Sequence, residues 1–365
     1  MLKTATRTRP TGQRTTAFNV EIASVATAVP EYKMSQDDAA ERAKEIFPHL
    51  ARLGVLYGNT GIQSRYTCQP ADWYFERHGW EVRTEVFQRH ALVLLEEVAL
   101  AAIARAGLGL GDIRALVVDT ITGLAIPSLD AKLMNRLNFP SSVERSPIFG
   151  LGCGGGVAGL SRAARLAQAM PGGNVLFLTV DLCSLCLRVA DPSMAMFVSA
   201  ALFGDGAAGI VLRNCEGSKG GADGRGRIVA VGDHFWPKTE HIMGWDIKED
   251  GFGVVLSPEL PTLMRENLGP ALAKFLSTNG LSLEDFKGFL FHPGGRKVLD
   301  TVEEVLPVSR GKLEHSWGVL RDYGNMSSAT ALFVLDRAIT SGAKGRHLLV
   351  AFGPGFSAYF AVVDL

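Results

Sequence analysis

Two kinds of apolar segment alternate along the chain. Stretches with helical spacing, such as "FQRHALVLLEEVALAAIARAG" ending at Gly107, are separated by short continuous apolar runs, such as "IRALVVDTI" and "NVLFLTVDL". The first pattern predicts buried-face helices, and the second predicts strands covered on both sides. "VEIASVATAVP" predicts a strand ended by Pro30. "SQDDAAERAKEIF" predicts a helix with Ser35 as N-cap and acids in its first turn. "AAGIVLR" is a further buried strand. The grammar breaks at 214–227, "NCEGSKGGADGRGR", a Gly-rich charged stretch without periodicity that predicts a surface loop. Beyond it come a helix in "PTLMRENLGPALAKFLSTNG", a strand in "FKGFLF" and a helix in "SSATALFVLDRAITSG". "GRHLLVAFGPGFSAYFAVVDL" then gives two strands around a Gly-Pro-Gly turn. The order of elements is similar on both sides of the loop, without a residue-level repeat. The pattern therefore predicts an α/β protein of two related halves, 19–213 and 228–365.

Composition narrows the function classes. The 365 residues are 47% hydrophobic, enough for a large core. Lys plus Arg and Asp plus Glu balance at 37 each, which argues against nucleic acid or an anionic membrane surface as partner. No apolar run approaches the roughly 20 residues that span a bilayer. Five cysteines without framework spacing fit free thiols in a reducing, cytoplasmic compartment. Residues 1–18 are basic and Thr-rich, read as a flexible tail in preference to a targeting peptide.

One cysteine has an unusual setting. Cys153 lies in "FGLGCGGGVAGL", before a segment to Met170 that predicts a buried helix closed by "PGG". Glycines cost a helix about 1 kcal/mol each relative to alanine, so three in its first turn need a reason. The expectation is that side chains there would block a ligand from the free backbone N–H groups. Those groups and the helix dipole would also lower the thiol pKa from about 8.5 and favour a nucleophilic thiolate. A buried, inert cysteine is the alternative. A hydrolase nucleophile elbow needs glycine two residues earlier, where this chain has Leu151. His292 ends "FKGFLF" just before Gly294 and Gly295, at a strand end where α/β sites collect, although a satisfied core histidine is an equal reading. Asn325, in "YGNMSSATALFVLD", precedes an apolar helix, and an N-cap role for Asn325 or Ser327 is equally open. Cys183 and Cys186 form a lone C-x-x-C. No second pair follows, and no clustered ligands suggest a metal.

Taken together, "GLGCGGG", "ALFGDGAAGIVL", "FHPGGRKVLD", "GNMSSAT" and "AFGPGFS" resemble, in order and spacing, the type III polyketide synthases, the chalcone synthase-like family. The resemblance runs from about residue 20 to the C-terminus. "MGWDIKEDGFGVVLSPELP" adds similarity to the bacterial branch that makes alkylpyrones or alkylresorcinols. It implies a thiolase-like layered αβαβα fold, a homodimer, and acyl-CoA and malonyl-CoA as substrates, with neither cofactor nor metal. Cys153 would be the acyl-accepting nucleophile, paired with His292 as imidazolium and thiolate. His292 and Asn325 would hold the enolate oxygen, and Phe203, which periodicity alone reads as core, would be the gatekeeper. Thr122, Ile126, Cys183, Cys186, Trp245, Val254 and Ser327 would surround the substrate, with Ile126 also in the dimer wall. Trp245 replaces a glycine common in plant members. Small residues at 183 and 186 would open a passage for a fatty acyl starter, or simply pack behind the nucleophile helix. Arg52, Gly294, Gly295, Arg296 and Lys297 would meet CoA; Arg296 and Lys297 read equally well as a solvated pair. The rivals are a ketoacyl-carrier-protein synthase of the initiating kind, which condenses once, a catalytically silent lipid binder, and a cysteine hydrolase.

Overall fold

The computed structural model describes Phe18 and residues 20–214 and 224–365. The expected flexible tail, apart from Phe18, and most of the Gly-rich loop, with Cys215, lie outside the described residues.

In chain order the first part holds β1 (Val20–Ala28), β2 (Tyr32–Ser35), α1 (Gln36–Ile46), α2 (Val55–Gly58), β3 (Ser64–Thr67), α3 (Trp80–Arg105) and β4 (Ile113–Thr120). It continues with α4 (Leu129–Leu137), β5 (Glu144–Phe149), α5 (Gly155–Gln168), β6 (Asn174–Leu182), α6 (Met194–Leu202) and β7 (Asp205–Asn214). The second part holds β8 (Gly226–Phe235), β9 (Met243–Lys248), β10 (Gly251–Leu256), α7 (Leu260–Thr278) and β11 (Gly288–Phe291). It ends with α8 (Arg296–Val305), α9 (Glu314–Tyr323), α10 (Ala329–Thr340), β12 (Arg346–Gly353) and β13 (Ser357–Asp364). Ser35 caps α1 by accepting from the Asp38 N–H, as the sequence predicts. α3 begins well before the predicted segment, at Trp80.

Nine strands share one hydrogen-bonded sheet in the order β11-β12-β13-β8-β1-β7-β6-β4-β5. Read outward from the middle, β1-β7-β6-β4 and β8-β13-β12-β11 repeat one pattern. In each, the first three strands alternate in direction, neighbour antiparallel to neighbour, and the last pairs parallel. Among the described residues, β1 and β8 pair across the seam at three positions, Val20 to Ile228, Glu21 to Arg227 and Ile22 to Gly226. The sheet folds over at this seam, because α5 and α10 each contact strands of both halves.

Strand periodicity shows how the layers form. On β6, Val175 and Phe177 face the core shared with α5 and α10, whereas Leu176, Leu178 and Val180 face α3. On β12, Leu349 and Ala351 join the central core, whereas Leu348, Val350 and Phe352 pack with α7 and α8. Both faces of each strand are covered, which is why these runs are apolar without alternation. The result is α3 and α4, a sheet, α5 and α10, a sheet, then α7 and α8: the αβαβα layering. The central helices bring the N-termini of α5 and α10 together. Among the described residues, no helix is long and apolar enough to cross a membrane.

Candidate active site

Cys153 sits in a 3-10 turn, Gly152–Gly154, that leads into α5, and only 8% of it is exposed. Its Sγ lies 3.9 Å from Asn325 Oδ1 and 4.0 Å from Nδ2. The Asn325 amide is fixed at both ends. Nδ2 donates to the Gly294 carbonyl at 3.1 Å, and Oδ1 accepts the Ser327 N–H at 2.8 Å. That bond holds Ser327 at φ +50°, a strained value for a residue with a Cβ, and its hydroxyl lies against the thiol. Neither Asn325 nor Ser327 is the N-cap of α10; that position is Ser328.

His292 continues β11 by donating its N–H to the Val350 carbonyl at 2.7 Å. Its ring is buried, and neither nitrogen has a hydrogen-bond partner. Gly294 brings the two sides of the site together. Its carbonyl holds Asn325, and the Cβ it lacks would stand 3.8 Å from His292 Nε2.

Burial works against the expected imidazolium–thiolate pair. Burial drives His292 down to about 3, and burial pushes Cys153 up to about 11, with hydrogen bonds from Ser327 and Asn325 pulling back only in part. Burial thus favours the neutral form of each. The helix dipole at the start of α5 is a smaller effect than removal of the thiolate from water.

The glycines around Cys153 also have a different reason from the one expected. A Cβ on Gly156 would overlap the Ser328 carbonyl, one on Gly155 the Asp119 carboxylate, and one on Gly154 the Tyr359 ring. Gly152 adopts φ +52°, and a Cβ there would lie 2.6 Å from Pro354. The space is filled by the protein itself. Glycine lets α5 press against α10 and the second half, which sets the distance from Cys153 to Asn325.

Near Cys153 lies a buried polar cluster that the sequence reading missed. Asp181 accepts the Ile121 and Ser328 N–H groups at 2.8 and 3.0 Å, and the hydroxyls of Thr120 and Thr122 at 3.2 Å each. Burial raises its pKa. Burial, then Asp181, push neighbouring Asp119 well above the carboxylate range. The available signal was an acid inside each of two apolar strands, "LVVDT" and "LTVDL". Thr122, expected at the substrate, has its hydroxyl engaged here, accepting also from the Leu182 N–H at 2.8 Å.

Phe203 follows α6, and its backbone is bridged to Asn325: Gly204 N–H donates to the Asn325 carbonyl and Asn325 N–H to the Leu202 carbonyl, both at 2.9 Å. The Phe203 ring stands 6.0 Å from that of Trp245. Phe203 also lines an apolar cavity of ≈ 680 Å³, its mouth included, together with Cys183, Cys186 and Val254. α1 and α6 form much of the remaining wall. Three expected substrate residues and the expected gatekeeper thus meet in one cavity. Ile126 does not line it and is 97% exposed on a loop. Arg52 is exposed on the 3-10 helix Pro48–Leu53, and Arg296 and Lys297 are exposed on the first turn of α8. Arg296 is not a free cation, because it pairs with Asp300 at 3.3 Å. Among the described residues, no group of three or more His, Cys, Asp or Glu is placed to hold a metal.

Comparison with known proteins agrees with this arrangement. The family described as chalcone and stilbene synthases matches through its N-terminal domain at residues 74–215 and its C-terminal domain at 227–363. A 1,3,6,8-tetrahydroxynaphthalene synthase of Streptomyces peucetius subsp. caesius is 38% identical, with 96% of this chain and 95% of the relative covered. An alpha-pyrone synthesis polyketide synthase-like protein of Mycobacterium tuberculosis is 27% identical, with 94% and 91% covered. The crystal structure of the 1,3,6,8-tetrahydroxynaphthalene synthase of Streptomyces coelicolor A3(2), a bacterial type III polyketide synthase, superposes with TM-score 0.88 at 31% identity, covering 94% of this chain and 99% of that one. With matches across both halves, the chain belongs to the chalcone and stilbene synthase family, the type III polyketide synthases.

Proposed function

We propose that this enzyme loads a medium- or long-chain fatty acyl group from CoA onto Cys153, extends it with malonyl-CoA, and releases an alkylpyrone or alkylresorcinol. The family supplies the coarser statement: an acyltransferase that condenses acyl-CoA with malonyl-CoA and needs no resident cofactor. The observation that carries the finer one is the apolar cavity bounded by Cys183, Cys186, Phe203 and Val254. Its wall suits a hydrocarbon chain.

In the proposed cycle the Cys153 proton moves to His292 as Sγ attacks the acyl-CoA carbonyl. The two charges then appear together, and their mutual attraction offsets the burial that disfavours each alone. CoA leaves as a thiolate and takes that proton. Malonyl-CoA next loses CO₂, leaving the electron pair on the enolate of acetyl-CoA. Neutral N–H groups of His292 and Asn325 stabilise the enolate oxygen. The depressed pKa of His292 serves this step: a neutral imidazole donates a hydrogen bond but does not hand its proton to the carbanion. The carbanion attacks the acyl-Cys153 thioester, and the thiolate returns. Phe203 divides this chamber from the cavity, and Ser327 adds a hydroxyl beside the sulfur. Arg52, Lys297 and the backbone at Gly294 and Gly295 are assigned to CoA, with Arg296 available only if it releases Asp300.

The enzyme is proposed to act as a cytoplasmic homodimer in which Ile126 meets the second copy. Four free cysteines among the described residues suit a reducing compartment. A second reading has malonyl as its own starter, favoured by the 38% identity to a tetrahydroxynaphthalene synthase. Mass spectrometry of products from malonyl-CoA with starters of graded length separates the two. The fatty acyl reading predicts pyrones or resorcinols that dominate with long starters and shrink at least tenfold in Ala43→Phe, which narrows the cavity. One product, identical with or without a starter, would establish the second reading.

A further inference from the structure

The cavity has an inner end and an outer one. Cys183 and Phe203 mark the inner end: Phe203 is bridged to Asn325, and Cys183 is close enough for a charge on Cys153 to push its thiol pKa up. Toward solvent the walls are α1 and the 3-10 helix Ala71–Phe75. α1 lines the cavity with Ala39, Arg42, Ala43 and Ile46, the i, i+3, i+4, i+7 spacing of one helix face. Three of these four are apolar, and Arg42 breaks the stripe. Its Nη1 donates across the opening to Asp72 Oδ1 at 3.1 Å, and its guanidinium stands 5.8 Å from the centroid of the Phe75 ring. Ala71 and Phe75, on either side of Asp72, line the opposite wall. The Arg42 side chain is 37% exposed and that of Asp72 93%, so this bridge lies where the cavity reaches the surface. An arginine used only for solubility would point away from the stripe; this one joins the two walls.

We propose that the Arg42–Asp72 pair is a strap across the outer mouth of the cavity, and that these two residues set the longest acyl chain the enzyme accepts readily. This rests on the cavity being the acyl site. A chain anchored on Cys153 runs outward past Cys183. Once it outgrows the walls, it has to part the ion pair and push the guanidinium off Phe75. Exposed ion pairs and cation–π contacts are weak, so the strap is a graded obstacle. It slows overlong chains by about five- to tenfold and does not exclude them. Arg42 is the larger part of it, because its aliphatic stem covers apolar wall while its head holds Asp72. Removing Arg42 clears the mouth, whereas removing Asp72 only frees the guanidinium to swing into water.

The test is a chain-length profile: kcat/KM for condensation with malonyl-CoA, using saturated acyl-CoAs of six to twenty carbons, each profile scaled to its own shortest starter. The proteins are the full-length enzyme and its Arg42→Ala, Asp72→Ala and Arg42→Lys variants. The unsubstituted enzyme is expected to fall off beyond a limiting length. In Arg42→Ala the scaled value beyond that limit rises about five- to tenfold, and in Asp72→Ala it rises by less. Arg42→Lys keeps the original limit, since an ammonium still reaches Asp72. Scaling removes any uniform loss from a merely structural role, which would leave the profiles superposed. Superposed profiles, a shift in Arg42→Ala alone, or no limit in the unsubstituted enzyme would overturn the strap while long starters still condense, leaving the fatty acyl reading intact. Condensation with short starters or malonyl alone would overturn that reading and the strap with it.

Discussion

Burial acts on the two central residues with opposite sign, and its consequences can be measured. Below about pH 6.5 an unfolded chain protonates His292, whereas the folded protein keeps it neutral down to about 3. Protons then bind the unfolded state preferentially, so this residue makes stability fall as pH drops from about 6.5 toward 3, by up to about 1.4 kcal/mol per unit. Urea unfolding at stepped pH is expected to show a shallower decline in His292→Gln than in the native enzyme across that window. Cys153 behaves as the mirror case: its folded thiol ionises near 11, above the ordinary 9.0, so its contribution is lost as pH rises through that interval. In the unliganded enzyme, alkylation of Cys153 by iodoacetamide is expected to be slow at pH 7.5 and to climb steadily above pH 9. A rate already at plateau below pH 7 would mean a resting thiolate. Cys153, His292 and Asn325 are legible in the sequence as candidates, by residue type beside glycines and strand ends. Their protonation is not, because it depends on how much water the folded chain removes, and that comes from the distant residues packed around them.

The helices and strands that fix the site follow from periodicity, and the glycines do not. Continuous apolar runs give β4, β6 and β7 almost residue for residue, since strands covered on both faces leave no alternation to misread. α8, α9 and the paired short strands β2/β3 and β9/β10 were not anticipated; each is short, and its packing partners are remote in sequence. The glycines of "GCGGG" carry a signal of close approach, but sequence alone does not say what approaches. It is the Ser328 carbonyl and the Asp119 carboxylate, not a ligand. Gly156→Ala is therefore expected to force α5 and α10 apart and cost about 1–3 kcal/mol or more in thermal or urea unfolding. Gly58→Ala, with nothing within 4 Å of its added Cβ, is the control and should be neutral or stabilising by a few tenths to about 1 kcal/mol. Equal effects of the two substitutions would refute the packing role.

Across the whole molecule, the duplication of strand order places each residue of the proposed triad. β4 and β11 occupy equivalent places, as do α5 and α10, so Cys153 comes from one half and His292 and Asn325 from the other. The seam between halves, with central helices that touch both, makes the site a product of the entire fold. Ile126, fully exposed, has Leu124 near it at 44% exposure, and α3 exposes Val93 and Leu100 one heptad apart. The proposed homodimer, with a second copy covering these groups, predicts a dimer's mass by light scattering for the unsubstituted enzyme and a folded monomer for Ile126→Asp; an unchanged mass would place the contact elsewhere. The central claim is that Cys153 carries the acyl chain while the cavity holds it. Intact-protein mass spectrometry after incubation with acyl-CoAs of graded length, followed by peptide mapping, tests it directly. The account predicts a single acyl adduct on Cys153, fullest with long chains and absent from Cys153→Ala. No adduct at any length, or an adduct that persists in the variant on Cys183 or Cys186, would contradict it.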